Sequence, residues 1–417
     1  MLQQNINLAS AAPAADDMAD ALIDQALAAV RDHMGMPIAY LSEFVGDTTV
    51  FRHVNAPGLE GLIKPGDTRS LDEVYCKHIL SGDLPELIQD TSALPLARSL
   101  PITQAAPIGS HASLPVRRAD GSVYGMFCCL SPDPNPDLTH RDLKVMGMFA
   151  ELAAEQIRMR LARQTKEKAA SARIAAVIQA RDFDVVYQPL YRLSDGGLAS
   201  FEALCRFRPA PYRSPDKWFN EAAGIGLQRE LELAVIEMAL TGLDALPYGT
   251  RLAVNISPKT VAEGGLLPLL RQCDARRVTV EITEHEDPGD IEKLVMGLQG
   301  IRGTGAAIAV DDVGAGYSGL QQILRIQPDV LKLDMSLVRD IDRDPARRSL
   351  ATALLHFAQE TKAAVVAEGI ERPEEWHLLA QLGVTYGQGW LMAKPGRIAD
   401  APLRVDPHPL VVSDPSR

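Results

Sequence analysis

Residues 306–320 read AAIAVDDVGAGYSGL: an apolar, strand-like run stops at two adjacent carboxylates, Asp311 and Asp312, and then meets three glycines within six residues. On a regular strand these two side chains point to opposite faces, and neighbouring negative charges repel. Outward from this stretch the same texture recurs. Short apolar runs read VVYQPLYRL (185–193), ASFEALCRF (199–207), RLAVNIS (251–257), RVTVEITE (277–284), AAIAVDDV (306–313), VLKLD (330–334), AAVVAEGI (363–370) and YGQGWLM (386–392). Helical patterns such as RELELAVIEMALTGL (229–243) and RRSLATALLHFAQETK (347–362) lie between several of them. Eight strands with intervening helices predict an α/β fold, a TIM-like (β/α)8 barrel over residues 183–405. A doubly wound sheet would need a GxGxxG turn, which is absent.

In such a barrel the active site lies at the C-terminal ends of the strands. There stand Glu202, Asn255, Glu281, Glu284, Asp311, Asp312, Lys332, Asp334, Glu368 and Gln388, eight of the ten charged. So many carboxylates on one face cannot all stay ionised without a compensating cation. Carboxylate and amide oxygens suit hard divalent ions, Mg²⁺ or Mn²⁺. Adjacent aspartates can serve two such ions, one carboxylate bridging, as two-metal phosphodiester hydrolysis requires. The glycines let the following loop fold close over the site. Read from the residues alone, this is metal-dependent hydrolysis of a phosphate ester.

The pieces FEALCRF, AVNIS, VEITE, AVDDVGAGYSGL, LKLD, VVAEGIE and YGQGW, in this order, resemble the successive signatures of the EAL family of cyclic di-GMP phosphodiesterases. The resemblance covers roughly residues 183–400. It implies a TIM-like barrel with one antiparallel strand, and hydrolysis of cyclic di-GMP to linear pGpG. By the same resemblance Glu202, Asn255, Glu281 and Asp311 hold a first metal ion, and Asp311 bridges to a second completed by Asp312 and Glu368. Lys332 then sits beside the attacking water, with Gln388 next to it. Gln188, Leu204 and Arg206 contact the substrate, Arg206 at a phosphate oxygen, and Glu284 anchors the glycine-rich loop. Val313, Ala315 and Gly319 depart from the usual DDFGTGYSSL, but no ligand and no lysine is lost, which favours hydrolysis over mere binding. No GG[DE]EF-like signature of a companion cyclase occurs.

Ahead of the barrel, MADALIDQALAAVRDHM (18–34) has helical spacing, and AYLSEFV, TVFRHV, ASLPVRR and VYGMFCCLS read as strands, the last two joined by a turn at 119–121. YCKHILSGDLPELIQD (75–90) and IGSHASLPVRRADGSVYGMFCCL (108–130) resemble a GAF domain, a smaller α/β sensor module expected over 18–160. Cys76, His78 and His111 leave haem, a bilin or a metal open against ordinary residues of a small-molecule pocket, so its ligand is unassigned. A long helix or two in tandem spans roughly 140–180, with 161–182 expected as a linker. Its face Leu143, Met146, Ala150, Ala153, Ile157 and Leu161 suits pairing across a homodimer.

Composition bounds the rest. A net charge of −12 argues against a nucleic-acid polymer or an anionic membrane as partner. Five cysteines without CxxC spacing make a disulfide framework or zinc site a poor fit, and no run of 18 apolar residues predicts membrane insertion. Residues 1–17 carry no basic-then-apolar leader and read as a disordered tail, as do 406–417. The expected location is the cytoplasm.

Overall fold

The structure, a computed structural model, describes residues 13–283, 290–314 and 320–406. The chain divides between residues 169 and 170 into two compact units. The N-terminal unit holds an antiparallel sheet of β1 (Ile38–Val45), β2 (Thr48–Asn55), β3 (Thr68–Ser70), β4 (Leu87–Ile88), β5 (Ser110–Arg117) and β6 (Val123–Ser131), in the order β3-β2-β1-β6-β5-β4. One face carries Ile38, Tyr40, Phe51, Cys128 and Leu130 under the short helical segments between residues 71 and 105. The other carries Ala39, Leu41, Ala112, Phe127 and Cys129 under two long helices, Pro13–Met34 and His140–Ala180.

Three expectations change here. The first helix begins at Pro13, inside the stretch read as a disordered tail. Its Ile23, Leu27 and Val30 are fully buried, and Asp16 and Asp20 pair with Arg163 and Arg160 of the second long helix. That second helix is a single element from His140 to Ala180, so residues 161–169 belong to the N-terminal unit and 170–180 to the barrel. The apolar face expected to pair across a dimer is occupied within the unit: Met146, Ala150, Ala153 and Ile157 are buried against the sheet. Met148, Leu152 and Met159 are the large apolar side chains this helix exposes.

In the second unit eight strands close a barrel: β7 (Phe183–Arg192), β8 (Leu198–Phe207), β9 (Arg251–Asn255), β10 (Val278–Thr283), β11 (Ala307–Val313), β12 (Val330–Leu333), β13 (Ala364–Ala367) and β14 (Tyr386–Gly387). β7 runs antiparallel to both its neighbours, β8 and β14, and the other pairs are parallel. The parallel strands are buried on both faces, which is why they read as unbroken apolar runs rather than alternating ones. Outside β7 and β8, Trp218 stacks on Phe207 at 4.9 Å in a second cluster with Ile174 and Val177. Among the described residues no helix is long and apolar enough to cross a membrane.

β11 departs from regular geometry where the site begins. Val310 pairs with Leu331 but Val313 pairs with Leu333, so three steps on one strand oppose two on the other. This is a β-bulge, and Asp312 takes a left-handed φ of +59° within it. The alternation that would send Asp311 and Asp312 to opposite faces is broken there.

The loop after β14 packs without clearance. A Cβ at Gly389 would stand 2.1 Å from the Ile370 carbonyl oxygen, two residues past Glu368. Gly389→Ala is expected to cost about 1–3 kcal/mol of stability, read by chemical denaturation of the full chain, whereas Gly249→Ala, where a Cβ meets open space, carries only the strain of its positive φ.

Candidate functional site

Lys332 is the hub of the barrel's C-terminal mouth. Its side chain is 1% exposed, and its Nζ lies 2.7 Å from Glu368, 2.8 Å from Glu281, 3.0 Å from Asp311 and 3.7 Å from Glu202. A buried ammonium is tolerated only with such partners. The four carboxylates hold its proton far more tightly than water would: burial alone pulls its pKa down, and their charges raise it well above the ordinary value.

The ligand candidates reach this point from six strands, Asp311 and Asp312 sharing one. Glu202 lies in β8, Asn255 closes β9, Glu281 lies in β10, Asp311 and Asp312 form the bulge of β11, and Glu368 and Gln388 follow β13 and β14 directly. Oxygens of Glu202, Glu281 and Asp311 lie within 4.8 Å of one another, and so do those of Asp311, Asp312 and Glu368. Asp311 is common to both sets. The amides of Asn255 and Gln388 donate to the two oxygens of Glu202 at 2.9 and 2.8 Å. Their own carbonyl oxygens, Asn255 Oδ1 and Gln388 Oε1, are buried without a partner, although Asn255 as a residue sits at the exposed mouth. Buried orphan acceptors beside clustered carboxylates are what a hard cation would satisfy, so the residues present fit Mg²⁺ or Mn²⁺.

The carboxylates differ in protonation. Burial raises Glu281 well above its ordinary value against the pull of Lys332, with Glu202 and Asp311 adding to the rise. Burial also raises Glu368, to about 8, again against Lys332. Glu202 goes the other way, because Lys332, Asn255 and Gln388 outweigh the effect of its burial.

The substrate-side candidates lie along β8 and β7. Glu202, Leu204 and Arg206 share one face of β8 by period-two alternation, and Leu204 and Arg206 line a cavity of about 510 Å³ with Phe219, Asn220 and Asn255. Arg206 donates to the Cys205 carbonyl at 2.8 Å, and no carboxylate pairs with it among the described residues. Gln188, 9% exposed, stands opposite Glu202 in the β7–β8 ladder and donates to the Ala393 carbonyl at 3.3 Å. Glu284 and residues 315–319 of the glycine-rich loop lie outside the described residues. Asp334 caps the short helix Met335–Val338, and Glu371 pairs with Arg339.

Sequence reasoning passed over Glu375. It is 1% exposed and accepts the backbone N–H groups of Asp340 at 2.9 Å, Glu371 at 3.0 Å and Arg372 at 3.1 Å. One carboxylate thereby ties the loop after β12, which carries Lys332, to the loop after β13, which carries Glu368. The sequence signal was present: Arg372-Pro373-Glu374-Glu375 is a helix start with proline at the first position and Glu at the third. Cys76, His78 and His111 do not converge on a metal: Cys76 and His111 are buried, His78 turns toward Asp83, and no candidate metal cluster among the described residues contains any of them.

Two outcomes follow from this geometry. Glu375→Ala should weaken Mn²⁺ binding about 10–100-fold, as loss of a supporting contact typically does, when measured by calorimetry; Glu375→Gln, which keeps one acceptor oxygen, should lose less. In chelator, Glu281 and Glu368 bind protons more tightly folded than unfolded, so their contribution to stability is full below the ordinary carboxylate value of 4.5 and is lost as pH rises, for Glu368 toward about 8. The thermal midpoint in EDTA should therefore fall as pH rises across that window, and Glu368→Gln should flatten the fall. Glu202, held below 4.5, acts at lower pH: its contribution is present above 4.5 and is lost as pH falls below that value.

Comparison with known proteins agrees with the fold. The EAL domain model matches residues 170–395 and the GAF domain model matches residues 19–157. The probable cyclic di-GMP phosphodiesterase PdeB of Escherichia coli is 30% identical over 264 residues, 60% of this chain and 49% of that protein. The cyclic di-GMP phosphodiesterase NbdA of Pseudomonas aeruginosa is 28% identical over 331 residues, 76% of this chain and 40% of that protein. The chain thus spans about half the length, or less, of these curated relatives. An EAL domain protein from Listeria monocytogenes, 24% identical, shares the fold with a TM-score of 0.50 over 55% of this chain and 94% of its own. The barrel with one reversed strand, its mouth of carboxylates around a lysine and these matches lead to one assignment: the chain belongs to the EAL domain family and carries a GAF domain ahead of its barrel.

Proposed function

We propose that this chain hydrolyses one phosphodiester bond of cyclic di-GMP, giving linear pGpG. The observation that carries the reading is the pair of carboxylate sets sharing Asp311 around the Lys332 ammonium. Glu202, Asn255, Glu281 and Asp311 on one side and Asp311, Asp312 and Glu368 on the other would hold Mg²⁺ or Mn²⁺, which when bound would supply Lewis-acid polarisation of the phosphate and lower the pKa of water. The chain's own groups do the rest. Water attacks phosphorus and gives a proton to a carboxylate, with Glu368 the candidate, while the bond to the ribose O3′ breaks and the leaving oxygen takes up a proton from solvent to become the 3′-hydroxyl. Lys332, pinned among four carboxylates, orients that water and offsets the negative charge that grows on the phosphate. The Arg206 guanidinium, free of any carboxylate among the described residues, is suited to a phosphate oxygen, and the cavity beside Leu204 to a base.

The names of PdeB and NbdA, the absence of a lost ligand and the retained lysine support turnover rather than binding alone. We also infer that the GAF domain regulates the barrel, supported by the single helix His140–Ala180 that contributes residues to both units. A homodimer is supported by the exposed Met148, Leu152 and Met159 on that helix.

The test is incubation of purified full-length protein with cyclic di-GMP and Mg²⁺ or Mn²⁺, with pGpG quantified by chromatography. EDTA should abolish turnover, and Ca²⁺ should inhibit it because the larger ion accepts looser geometry. Lys332→Ala should lose at least about 10²-fold in rate while still binding substrate, and Glu202→Ala should lose both rate and metal-dependent binding. Full activity in excess chelator would sink the two-metal reading; binding without any pGpG would make the protein a receptor instead.

A further inference from the structure

Two thiols and an imidazole meet inside the N-terminal unit. β6 carries adjacent cysteines that strand alternation sends to opposite faces of the sheet. Cys129 packs among Ala39, Ala112 and Phe127 under the long helices. Cys128 packs on the other face, in one cluster with Tyr40 and Cys76. Pairing fixes its neighbours: Tyr40 of β1 and Ser113 of β5 stand opposite Cys128, and His111 lies two residues before Ser113 on the same face. Cys76 is the second residue of the helix Tyr75–Leu80. The residue before it, Tyr75, stacks its ring on His111 at 4.7 Å with the planes 17° apart, which seats the start of that helix on the sheet beside Cys128. The Cys128 thiol shares side-chain hydrogen bonds with Cys76, His111 and Tyr40.

The partners make the two thiols unlike. Burial alone would raise Cys128, but its hydrogen bonds with Cys76 and His111 and the His111 charge bring it down to about 5. Cys76 moves the other way, because its hydrogen bond to Cys128 and its burial both raise it well above the ordinary value. Cys129, without such partners, is pushed up by burial, with Cys128 adding to the rise. The thiolate is the nucleophile in sulfur chemistry, and an acidic cysteine beside a second thiol is the arrangement that oxidises to a disulfide. Exposure selects the oxidant. Cys76 is 2% and Cys128 0% exposed, so a bulky disulfide cannot reach either sulfur. Hydrogen peroxide is uncharged and barely larger than water. A small cavity lined by Tyr40 and His111, both bonded to Cys128, gives it a path inward from the exposed Leu62. The sulfurs must then close to a bond of about 2.05 Å. The helix that carries Cys76 has six residues and starts without a side-chain cap, so little holds it against that shift.

We propose that Cys128 and Cys76 are a peroxide-reactive pair that closes into a reversible disulfide, Cys128 attacking and Cys76 resolving. The Cys128 thiolate attacks one oxygen of hydrogen peroxide, the O–O bond breaks, and Cys128 becomes a sulfenic acid. The hydroxide released takes up the proton that the Cys128 thiol gave up on ionising and leaves as water. The Cys76 sulfur then attacks the Cys128 sulfur, the S–O bond breaks, and the hydroxide takes the Cys76 proton as a second water. Two thiols are oxidised to one disulfide and one peroxide is reduced to two waters. The bridge fastens the helix Tyr75–Leu80 to β6.

The test treats full-length protein with hydrogen peroxide, quenches with catalase, denatures, and counts and maps free thiols by mass spectrometry. Free thiols should fall from five to three, with one bridge joining the peptides of Cys76 and Cys128, and dithiothreitol should restore all five. Cys76→Ser removes the resolving thiol, so Cys128 should stop as a sulfenic acid that dimedone traps. Cys128→Ser should leave Cys76 reduced, and Cys129→Ala should keep the bridge. Protein unfolded in guanidinium before the peroxide is added should lose the pairing preference, a comparison that needs no variant to fold. Five thiols retained at peroxide levels that oxidise free cysteine, a bridge that takes in Cys129, Cys205 or Cys273, or the same preference in the unfolded chain overturns the proposal.

Discussion

Four carboxylates gathered around one ammonium dominate this barrel. In a low-dielectric interior a charge stays ionised only where an opposite charge stands beside it, and each of the four has Lys332 within 3.7 Å. The lysine is among the largest fully buried side chains in the protein, and it stands where hydrophobic packing alone would place a Leu or Met. One positive charge cannot balance four negative ones. Burial, with the neighbouring carboxylates adding to it, raises the Glu281 and Glu368 carboxyls, and the amide oxygens of Asn255 and Gln388 are left unpartnered. The mouth of the barrel is therefore built for more positive charge than the chain itself brings.

The surrounding structure exists to keep that imbalance in register. The strands converge so that each ligand lies within a buried strand or directly after one rather than on a free loop, which limits its positional freedom. Where strand geometry alone would aim a carboxylate wrongly, a local device corrects it: the bulge at Asp311–Asp312, and the Glu375 carboxylate that ties the loop after β12, the strand of Lys332, to the loop that begins at Glu368.

Much of this was legible in the chain because the signals are local. An apolar run that ends in a charged residue marks a buried strand delivering a side chain to a mouth, and this pattern located Glu202, Glu281, Lys332 and Glu368 without any knowledge of pairing. What was not legible depends on partners far away in sequence. The period-two rule assigns Asp311 and Asp312 to opposite faces, and only pairing with Leu331 and Leu333 reveals the bulge. Pro13–Asp17 read as a tail because the arginines that pair with the helix they begin, Arg160 and Arg163, lie about 140 residues further on. The apolar stripe from Leu143 to Leu161 was correctly seen as a packing face, but periodicity cannot say whether a sheet of the same chain or a second copy covers it.

The seam of the barrel has a consequence for how the chain acquires its structure. β7, the first barrel strand, meets β14, the last, through only the pairs Arg192 with Tyr386 and Tyr191 with Gly387. Almost 200 residues must be synthesised and ordered before those few bonds can form, so closure belongs to the slow, non-local class of folding events. Until then the barrel is an open sheet with two unpaired edges, the state in which strands of different molecules add to one another. During synthesis the chain would thus keep its most aggregation-prone form until Tyr386–Gly387 emerges, with that short strand acting as a clasp.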